Sequence, residues 1–304
     1  MGYYSEDGRT RPDTKIRRIA QLKEVAHEVA DHYLKHGPTQ YGVRISNCAL
    51  YLEEYPGLKY GHFIDTWHCK HRHCPLCQWS KSRRWRAQTQ QVLETYPARL
   101  EGKWLYLTLT VRNCHVTELG DQLKHMNAAF RRMTRSSSWQ KYVRGGIRFV
   151  EVDQGSSDAE TAHPHYHCLL YVKPSMYEGN NYRSEAKWAE IWQKCLNESY
   201  TPQVNCSRLK GEGEDLQNAI LQKVSYSMKP REHAPPGAWF IEMTEQMRGV
   251  QLVTPFGELR GWFKQLNKEG DSEIRKERKE IRESHCPRRF RWECNTSRQK
   301  QALY

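Results

Sequence analysis

The spacing of apolar and polar residues predicts a chain of alternating helical and extended segments. Apolar residues recur at helical intervals over 12–35, 80–96, 119–134, 184–200 and 215–229, which predicts five helices. Residues 104–111, 146–152 and 162–172 are rich in β-branched and aromatic side chains and are predicted strands, the last two forming a hairpin. This order of elements predicts an α+β fold, with a central antiparallel sheet and flanking helices.

Composition along the chain divides it into three segments. Residues 43–77 are short-patterned and turn-rich, which is typical of a small module held together by a metal. Residues after about Lys264 carry dense charge of both signs and predict an exposed helix or a tail. We therefore expect an N-terminal helix with a zinc-binding module over 1–98, a central domain over 99–263 and a charged extension over 264–304.

Cysteines cluster in the turn-rich segment. Cys69, Cys74 and Cys77 lie within nine residues, and Cys48 upstream is the natural fourth ligand of a tetrahedral zinc site. His68, His71 and His73 compete for the fourth place. The chain shows no export signal, so its ten cysteines are expected to be reduced, and thiols without a metal are the simpler alternative. A closed four-ligand site would be structural rather than catalytic.

A second group of metal-binding side chains lies on the predicted hairpin. In the run His163-Pro164-His165-Tyr166-His167, alternate residues face the same side of a strand, at intervals of about 6.6 Å. His165 and His167 can chelate one ion, and Glu151 on the preceding strand can supply an oxygen. A mixed imidazole–carboxylate site with open positions suits Mn²⁺ or Mg²⁺ acting on a phosphate oxygen. His163 is a candidate ligand, a supporting group or a phosphate contact. The alternative is three buried histidines satisfied by hydrogen bonds.

One tyrosine of the last predicted helix is a candidate nucleophile. Helical geometry places Gln222, Tyr226 and Lys229 on one face, at i, i+4 and i+7. A phenol needs a metal or a cation nearby to react, and Lys229 could supply the positive charge. An ordinary amphipathic helix with an exposed lysine explains the same pattern.

Charge points to an anionic polymer as the partner. Lysine and arginine total 48 against 35 acidic residues, a formal net charge of +13, and such an excess favours nucleic acid. Basic residues at and after the cysteines predict a DNA-contacting surface, namely Arg72, Lys81, Arg83 and Arg84. A run of 18 apolar residues is missing, so we expect a cytoplasmic protein without a membrane partner.

Taken together, these motifs resemble the rolling-circle plasmid replication initiator (Rep) proteins of the HUH endonuclease superfamily. The resemblance runs from Cys48 to Trp262. It is carried by the motifs named above and by three more pieces, which are Leu107-Thr108-Leu109-Thr110, Gly146 through Glu151, and Gly257.

The resemblance implies a nicking domain over 99–263 that acts on single-stranded or hairpin origin DNA. Tyr226 would attack one phosphodiester, leaving a 5′-phosphotyrosyl link and a 3′-hydroxyl that primes a host polymerase. A phosphate-cradling glycine-rich loop is not apparent, so unwinding would need a host helicase.

Gln222 departs from the family pattern. Relatives commonly have glutamate at this position, where it activates water at termination, and glutamine cannot act as a base. Glu232 or a second subunit could substitute, or the glutamine could be an introduced change.

Other functions use some of the same residues. A mobilisation relaxase or a single-strand transposase would share the histidines and the tyrosine, but the zinc module before the first motif favours the initiator. An origin-binding or repressor protein with reduced catalysis would bind DNA without becoming attached to it. A small-molecule metallohydrolase would leave the charge and the cysteines unexplained.

Overall fold

The apolar periodicity of the sequence predicts most of the helices and strands that the structure contains. The computed structural model describes residues 2–5, 14–56, 63–95 and 103–293, apart from the side chains of 2–5, 180, 267–275 and 277. The helices are α1 (Thr14–His36), α2 (Thr39–Ser46), α3 (Pro75–Thr95), α4 (Leu119–Arg135), α5 (Ser137–Tyr142), α6 (Glu185–Leu196), α7 (Gly213–Tyr226), α8 (Gly237–Gln246) and α9 (Glu258–Ser284). The strands are β1 (Gly2–Ser5), β2 (Tyr51–Tyr55), β3 (Phe63–Thr66), β4 (Lys103–Thr110), β5 (Cys114–His115), β6 (Val143–Gln154), β7 (Thr161–Val172), β8 (Val204–Arg208), β9 (Val253–Gly257) and β10 (Arg288–Glu293).

Some predicted positions fall outside these ranges. Residues 12 and 96, which bound two predicted helices, lie outside the described residues. Short 3-10 turns complete the described secondary structure at Val116–Glu118, Pro174–Tyr177 and Gly179–Asn181. Among the described helices, none is long and apolar enough to cross a membrane.

The chain divides into two units that are not consecutive stretches of sequence. The first contains Met1–Ser80, Pro230–Ile241 and Glu269–Tyr304, and the second contains Lys81–Lys229 and Glu242–Lys268. The predicted boundaries at 98 and 263 differ from this division, because the C-terminal segment returns to the first unit. The division into domains at 1–98, 99–263 and 264–304 stays a prediction.

The first unit is built on a four-stranded antiparallel sheet with the order β1-β10-β2-β3. The apolar face of α1, including Ile16, Ile19 and Leu22, is buried. The expectation of an exposed helix or tail after residue 264 is only partly right. Helix α9 is followed by strand β10, whose Phe290 and Trp292 are buried while its other four residues are exposed.

The second unit contains the central antiparallel sheet that the sequence predicts. Its strand order is β8-β4-β7-β6-β9, with β5 also paired to β7. Every pairing is antiparallel, and β6 and β7 form the predicted hairpin. The α+β fold class is therefore confirmed, with β7 at the centre of the sheet.

Alternation along β7 decides which side chains meet helix α7. Leu169 and Tyr171 belong to a buried cluster that includes Ile220 and Val224 of α7. Tyr166 points to the other face, where its ring meets the ring of Phe130 on α4 with centroids 5.9 Å apart. The histidines at odd positions share the α7 face, since side chains of one strand face have a period of two.

Gly257 is required by the backbone at the end of β9. Its φ is +59°, and a Cβ there would lie 2.3 Å from the carbonyl oxygen of Arg144. Only glycine adopts this conformation at such a close approach without strain. The last piece of the sequence resemblance therefore has a structural cause, the tight pairing of Gly257 with Gly145.

Candidate functional site

A group of metal-binding side chains lies on the two central strands of the second unit. In the β6–β7 register, Glu151 is opposite His165 and Phe149 is opposite His167. On the other side of β7, Thr108 of β4 is opposite His167. The strand period of two thus brings Glu151, His165 and His167 to one face of the sheet.

These three side chains meet at one carboxylate oxygen. Oε2 of Glu151 lies 3.2 Å from Nε2 of His165 and 2.9 Å from Nε2 of His167. Their ligand atoms all lie within 4.8 Å of one another, and both histidines are buried. Neighbouring ligands of an octahedral ion with bonds of about 2.1 Å are separated by about 3.0 Å, so the group fits three positions around such an ion.

Hydrogen bonds on the far side of each ring aim the Nε2 atoms at Glu151. Nδ1 of His165 lies 3.2 Å from the carbonyl oxygen of His163. Because a carbonyl can only accept, Nδ1 carries a proton, and the neutral ring therefore has its lone pair on Nε2. Nδ1 of His167 lies 3.1 Å from Oγ1 of Thr108. Each Nε2 can donate to Glu151 when protonated or offer its lone pair to an ion when neutral, and the donor set therefore suits a metal ion.

Electrostatics at this group favour a bound cation. Burial opposes the charged form of Glu151, but hydrogen bonds from His165 and His167 outweigh it and lower the pKa of Glu151 to about 2. Burial likewise acts to lower the pKa of His165, but the facing Glu151 carboxylate raises it above its ordinary value. The carboxylate is thus ionised at neutral pH and stabilises a positive charge beside it, either a proton on His165 or a bound cation.

Tyr226 lies at the end of α7, beside this group. Its ring centroid is 6.0 Å from that of His167, with the ring planes at 73°. The side chain is 60% exposed, although its neighbours Val224 and Ser227 are buried. A tyrosine that is both open to solvent and next to a histidine of a group that could hold a metal ion is accessible to a large substrate.

A second tyrosine connects the metal-binding group to the end of α7. The buried Tyr106 ring stacks on His167 with centroids 5.5 Å apart, and its hydroxyl lies 2.8 Å from Oγ of Ser227. Ser227 donates to the carbonyl oxygen of Lys223, so Tyr106 donates to Ser227. Nζ of Lys223 lies 4.6 Å from the centroid of the Tyr106 ring. The residue after Tyr226 is thereby held against β4, the strand next to the one that carries the histidines.

The first unit brings four cysteines together. Cys48, Cys69, Cys74 and Cys77 are all buried, with ligand atoms within 4.8 Å of one another. Sγ of Cys77 lies 3.8 Å from Sγ of Cys48 and 3.6 Å from Sγ of Cys69. A tetrahedral zinc with Zn–S bonds of about 2.3 Å separates its sulfurs by about 3.8 Å. The cysteines therefore fit zinc, and none of the three nearby histidines is needed as a fourth ligand.

A buried lysine lies against this cysteine group. Lys23 of α1 is fully buried, and its Nζ donates to the carbonyl oxygens of Ser46, at 2.5 Å, and Cys48, at 2.6 Å. Burial lowers the pKa of Lys23 to about 8, against the opposing influence of the cysteines. Four thiolates around Zn²⁺ carry a net charge of −2, so a neighbouring ammonium offsets part of that charge.

Comparison with known proteins identifies the family. A profile of the replication-protein family matches residues 61–301, which is most of the chain. The chain belongs to this family. The match includes the histidine strand, Tyr226 and three of the four cysteines, and it confirms the resemblance to replication initiator (Rep) proteins that the motifs indicate.

Individual relatives support the same family. A protein named "Protein rep" from Bacillus amyloliquefaciens is 32% identical over 244 residues, covering 76% of this chain and 70% of that protein. A "Protein rep" from Streptococcus pneumoniae serotype 2 is 35% identical over 55% of this chain and 52% of its own length. One from Lactiplantibacillus plantarum is 35% identical over 56% and 55%, so the chain spans about half the length of these two relatives. No solved structure matches the chain.

Two predicted site residues lie outside the Glu151–His165–His167 group, and for His163 this fits the supporting role among the alternatives. His163 is outside the metal-binding group, because its Nδ1 is 2.7 Å from Oδ1 of Asn113 and its carbonyl oxygen orients His165. Lys229 does not lie on the helical face of Tyr226, since α7 ends at Tyr226. Gln222 is exposed one turn before Tyr226, as helical spacing predicts.

The predicted DNA-contacting residues differ in exposure. Lys81, Arg83 and Arg84 are exposed on α3, whereas Arg72 is half-buried and burial lowers its pKa. Arg86, which the sequence does not single out, lies on the same helix. Its Nη1 is 3.4 Å from Oγ of Ser225, the residue before Tyr226.

Lys223, Ser227 and Tyr106 are further residues near Tyr226 that the sequence motifs do not include. Helical spacing can find Lys223, which lies three residues before Tyr226 and so on the same side of α7. Strand alternation can find Tyr106, which shares its β4 face with Thr108. Nothing local to the sequence indicates that the Tyr106 hydroxyl meets Ser227, because 121 residues separate them.

Proposed function

We propose that this replication protein initiates rolling-circle replication of a plasmid by nicking single-stranded origin DNA, with Tyr226 as the nucleophile. The observation that carries the proposal is the position of an exposed tyrosine 6.0 Å, ring to ring, from His167 of the Glu151–His165–His167 group. Family membership supports a role in replication, and the formal charge of +13 supports a nucleic-acid partner.

The proposed reaction is a transesterification that conserves the number of phosphodiester bonds. Oη of Tyr226 attacks the phosphorus of one phosphodiester, and the bond from phosphorus to the 3′-oxygen breaks. The phenol gives up one proton and the departing 3′-oxygen takes up one, so no net proton is released. The products are a 5′-phosphotyrosyl link and a 3′-hydroxyl, which is the primer a polymerase needs.

Glu151, His165 and His167 would hold one divalent cation, Mn²⁺ or Mg²⁺. When bound, such an ion supplies Lewis-acid stabilisation of the charge on the phosphate oxygens. The buried histidines keep their Nε2 atoms pointed at one place, since His163 and Thr108 fix the opposite edges of the rings. The cysteine group would hold Zn²⁺ in a structural role, because its four ligands leave no open position.

Positive side chains near Tyr226 would orient the DNA backbone. Lys223 lies over the Tyr106 ring at 4.6 Å, and Arg86 contacts Ser225. Cations at this position attract the phosphate and stabilise charge that grows as the phenol loses its proton. Lys81, Arg83 and Arg84 extend the basic character along α3.

The exposed Gln222 affects the end of the reaction rather than its start. A glutamine cannot remove a proton from water, so hydrolysis of a phosphotyrosyl bond lacks a base at this position. This residue is the reason to keep a second candidate, an origin-binding protein with reduced catalysis. The two candidates differ in whether the protein becomes attached to DNA.

Adduct formation on a denaturing gel separates them. The protein is mixed with a 5′- and 3′-labelled hairpin oligonucleotide from the origin of the plasmid that encodes it, with Mn²⁺, Mg²⁺ or EDTA. We expect a metal-dependent covalent band that disappears in Tyr226→Phe and persists in Tyr182→Phe, a change of a similarly exposed tyrosine of the same unit. Binding of the same DNA without any adduct would refute nicking and favour the origin-binding protein.

A further inference from the structure

Two large aromatic side chains are exposed on the four-stranded sheet of the first unit. Tyr51 begins β2 and Trp67 follows β3, with exposed fractions of 52% and 54%. Both neighbour the Leu52–Thr66 pair of the β2–β3 ladder, and Oγ1 of Thr66 donates to the carbonyl oxygen of Tyr51 at 2.6 Å. Leu52 is fully buried, so Tyr51 projects from the opposite face of the strand.

Cations flank this aromatic pair. Arg291 of β10 is paired with Tyr51 in the sheet, and its guanidinium carbon lies 5.8 Å from the centroid of the Tyr51 ring. Lys70 follows Trp67 by three residues in a left-handed turn, with φ +58°, and is exposed. Arg44 is anchored close by through a bond from its Nη2 to the carbonyl oxygen of Cys69, at 2.7 Å.

The carboxylates on the neighbouring strand positions are already matched by arginines. Oε1 of Glu53 lies 3.1 Å from Nε of Arg289, and Oδ2 of Asp65 lies 2.7 Å from Nη2 of Arg282. Exposed Glu293, two residues after Arg291 on β10, adds one negative charge to this face, and the cations Arg291, Lys70 and Arg44 outnumber it, so the charge left around Tyr51 and Trp67 is positive. A surface that combines exposed rings with cations is complementary to a ligand that has flat apolar faces and regularly spaced anions.

We propose that Tyr51 and Trp67 stack on unpaired bases of single-stranded DNA, while Arg291 and Lys70 contact its phosphates. The inference rests on the proposed function only for the identity of the ligand as DNA. Rings of this kind bind bases without sequence preference, because every base has an aromatic face, and arginine adds a cation–π contribution. The Leu52–Thr66 pair and the bond from Thr66 to the Tyr51 carbonyl position the backbone next to both rings, which reduces the entropy lost on binding.

The test compares DNA with and without bases. Fluorescence anisotropy measures binding of a 20-nucleotide oligothymidylate and of an abasic 20-mer with the same phosphates. For Trp67→Ala we expect roughly 5- to 100-fold weaker binding of oligothymidylate, as for loss of one stacked base, and unchanged binding of the abasic strand. Trp67→Phe should restore most of the affinity, and Tyr182→Ala, a similarly exposed tyrosine of the second unit, should not change it.

Salt dependence tests the phosphate contacts separately. Arg291→Gln should reduce the slope of log affinity against log salt by about 0.7, the effect of one lost contact to a single strand. Trp67→Ala should leave this slope unchanged, because a stacked ring releases no counterions. Equal slopes for Arg291→Gln and the unchanged protein would refute the phosphate contact.

Other outcomes overturn the proposal. Equal weakening on both oligonucleotides, or no weakening in Trp67→Ala and Tyr51→Ala, would refute base stacking. If these variants instead lose self-association on size-exclusion chromatography while DNA binding is intact, the surface is an interface between copies of the chain. Failure of the Tyr226 adduct alone would leave the stacking result standing, since oligothymidylate binding requires no nicking.

Discussion

Removing the hydroxyl of Tyr106 breaks the buried hydrogen bond that joins β4 to the end of α7. In Tyr106→Phe the ring still stacks on His167, and Ser227 still donates to the Lys223 carbonyl. Tyr106→Phe leaves no buried polar atom without a hydrogen-bond partner in this group. The free energy of unfolding should therefore fall by about 1 kcal/mol, the net contribution of one hydrogen bond.

Ser227→Ala should cost more, although it removes a smaller side chain. The Tyr106 hydroxyl then loses its 2.8 Å partner while it stays buried, and the carbonyl of Lys223 loses one donor. An unsatisfied buried hydroxyl adds a desolvation penalty, so we expect a loss of about 2 kcal/mol. In the double variant no hydroxyl is orphaned, and it should be no less stable than Ser227→Ala alone.

Urea unfolding at pH 7, followed by tryptophan fluorescence, measures these changes. The double-mutant cycle should give strong non-additivity, because Tyr106→Phe relieves the defect of Ser227→Ala. Strictly additive losses of about 3 kcal/mol, or a larger loss in Tyr106→Phe than in Ser227→Ala, would refute the proposed donor order. The same variants should slow adduct formation mainly through kcat, since they loosen Tyr226 without removing a DNA contact.

Three further predictions follow from the two metal-binding groups and from Gln222. In EDTA, the stability contributed by Glu151 should be present above the ordinary pKa of a glutamate. It should be lost as the pH falls from that value towards the folded pKa of about 2, because folding lowers the pKa of Glu151. The contribution of His165, whose folded pKa is raised, is present at pH below its ordinary pKa and should be lost as pH rises through the folded value; Glu151→Gln should flatten both limbs of an unfolding profile against pH. Lys23→Met should release zinc at lower chelator concentration, measured with a colorimetric zinc indicator, while Lys23→Arg should retain more of the metal; equal retention in Lys23→Met and the unchanged protein would contradict a charge-offsetting role. Gln222→Glu should shorten the lifetime of a trapped adduct in a chase experiment, and an unchanged lifetime would show that this position does not control hydrolysis.

The parts of the fold set by local periodicity could be predicted from the sequence. The β6–β7 hairpin follows from its apolar alternation, and the shared face of His165 and His167 follows from the two-residue strand period. The helix that carries Tyr226 was also predictable, but its end was not. Ser227 caps it through backbone and side-chain bonds to Lys223, and Lys229 therefore lies beyond the helix.

Features that depend on distant pairing could not be predicted in this way. Strand β10 pairs with β2, more than 230 residues earlier in the chain, and its dense charge gives the appearance of an exposed helix or tail. The contact between Tyr106 and Ser227 has the same origin, because it depends on how α7 packs on the sheet. His163 lies on the same strand face as His165 and His167, but its Nδ1 is hydrogen-bonded to Asn113. The alternation of residues along β7 does not reveal this partner, which lies 50 residues earlier.

Peptide mapping of the covalent adduct tests the central proposal most directly. After reaction with the origin hairpin and Mn²⁺, nuclease and trypsin digestion should leave residues 224–231 as one peptide, since the bond after Lys229 precedes proline. The account predicts that mass spectrometry finds a nucleotide remnant on this peptide, with the fragment ions placing it on Tyr226. A remnant on another residue, or a nicked strand without any protein attached, would contradict it.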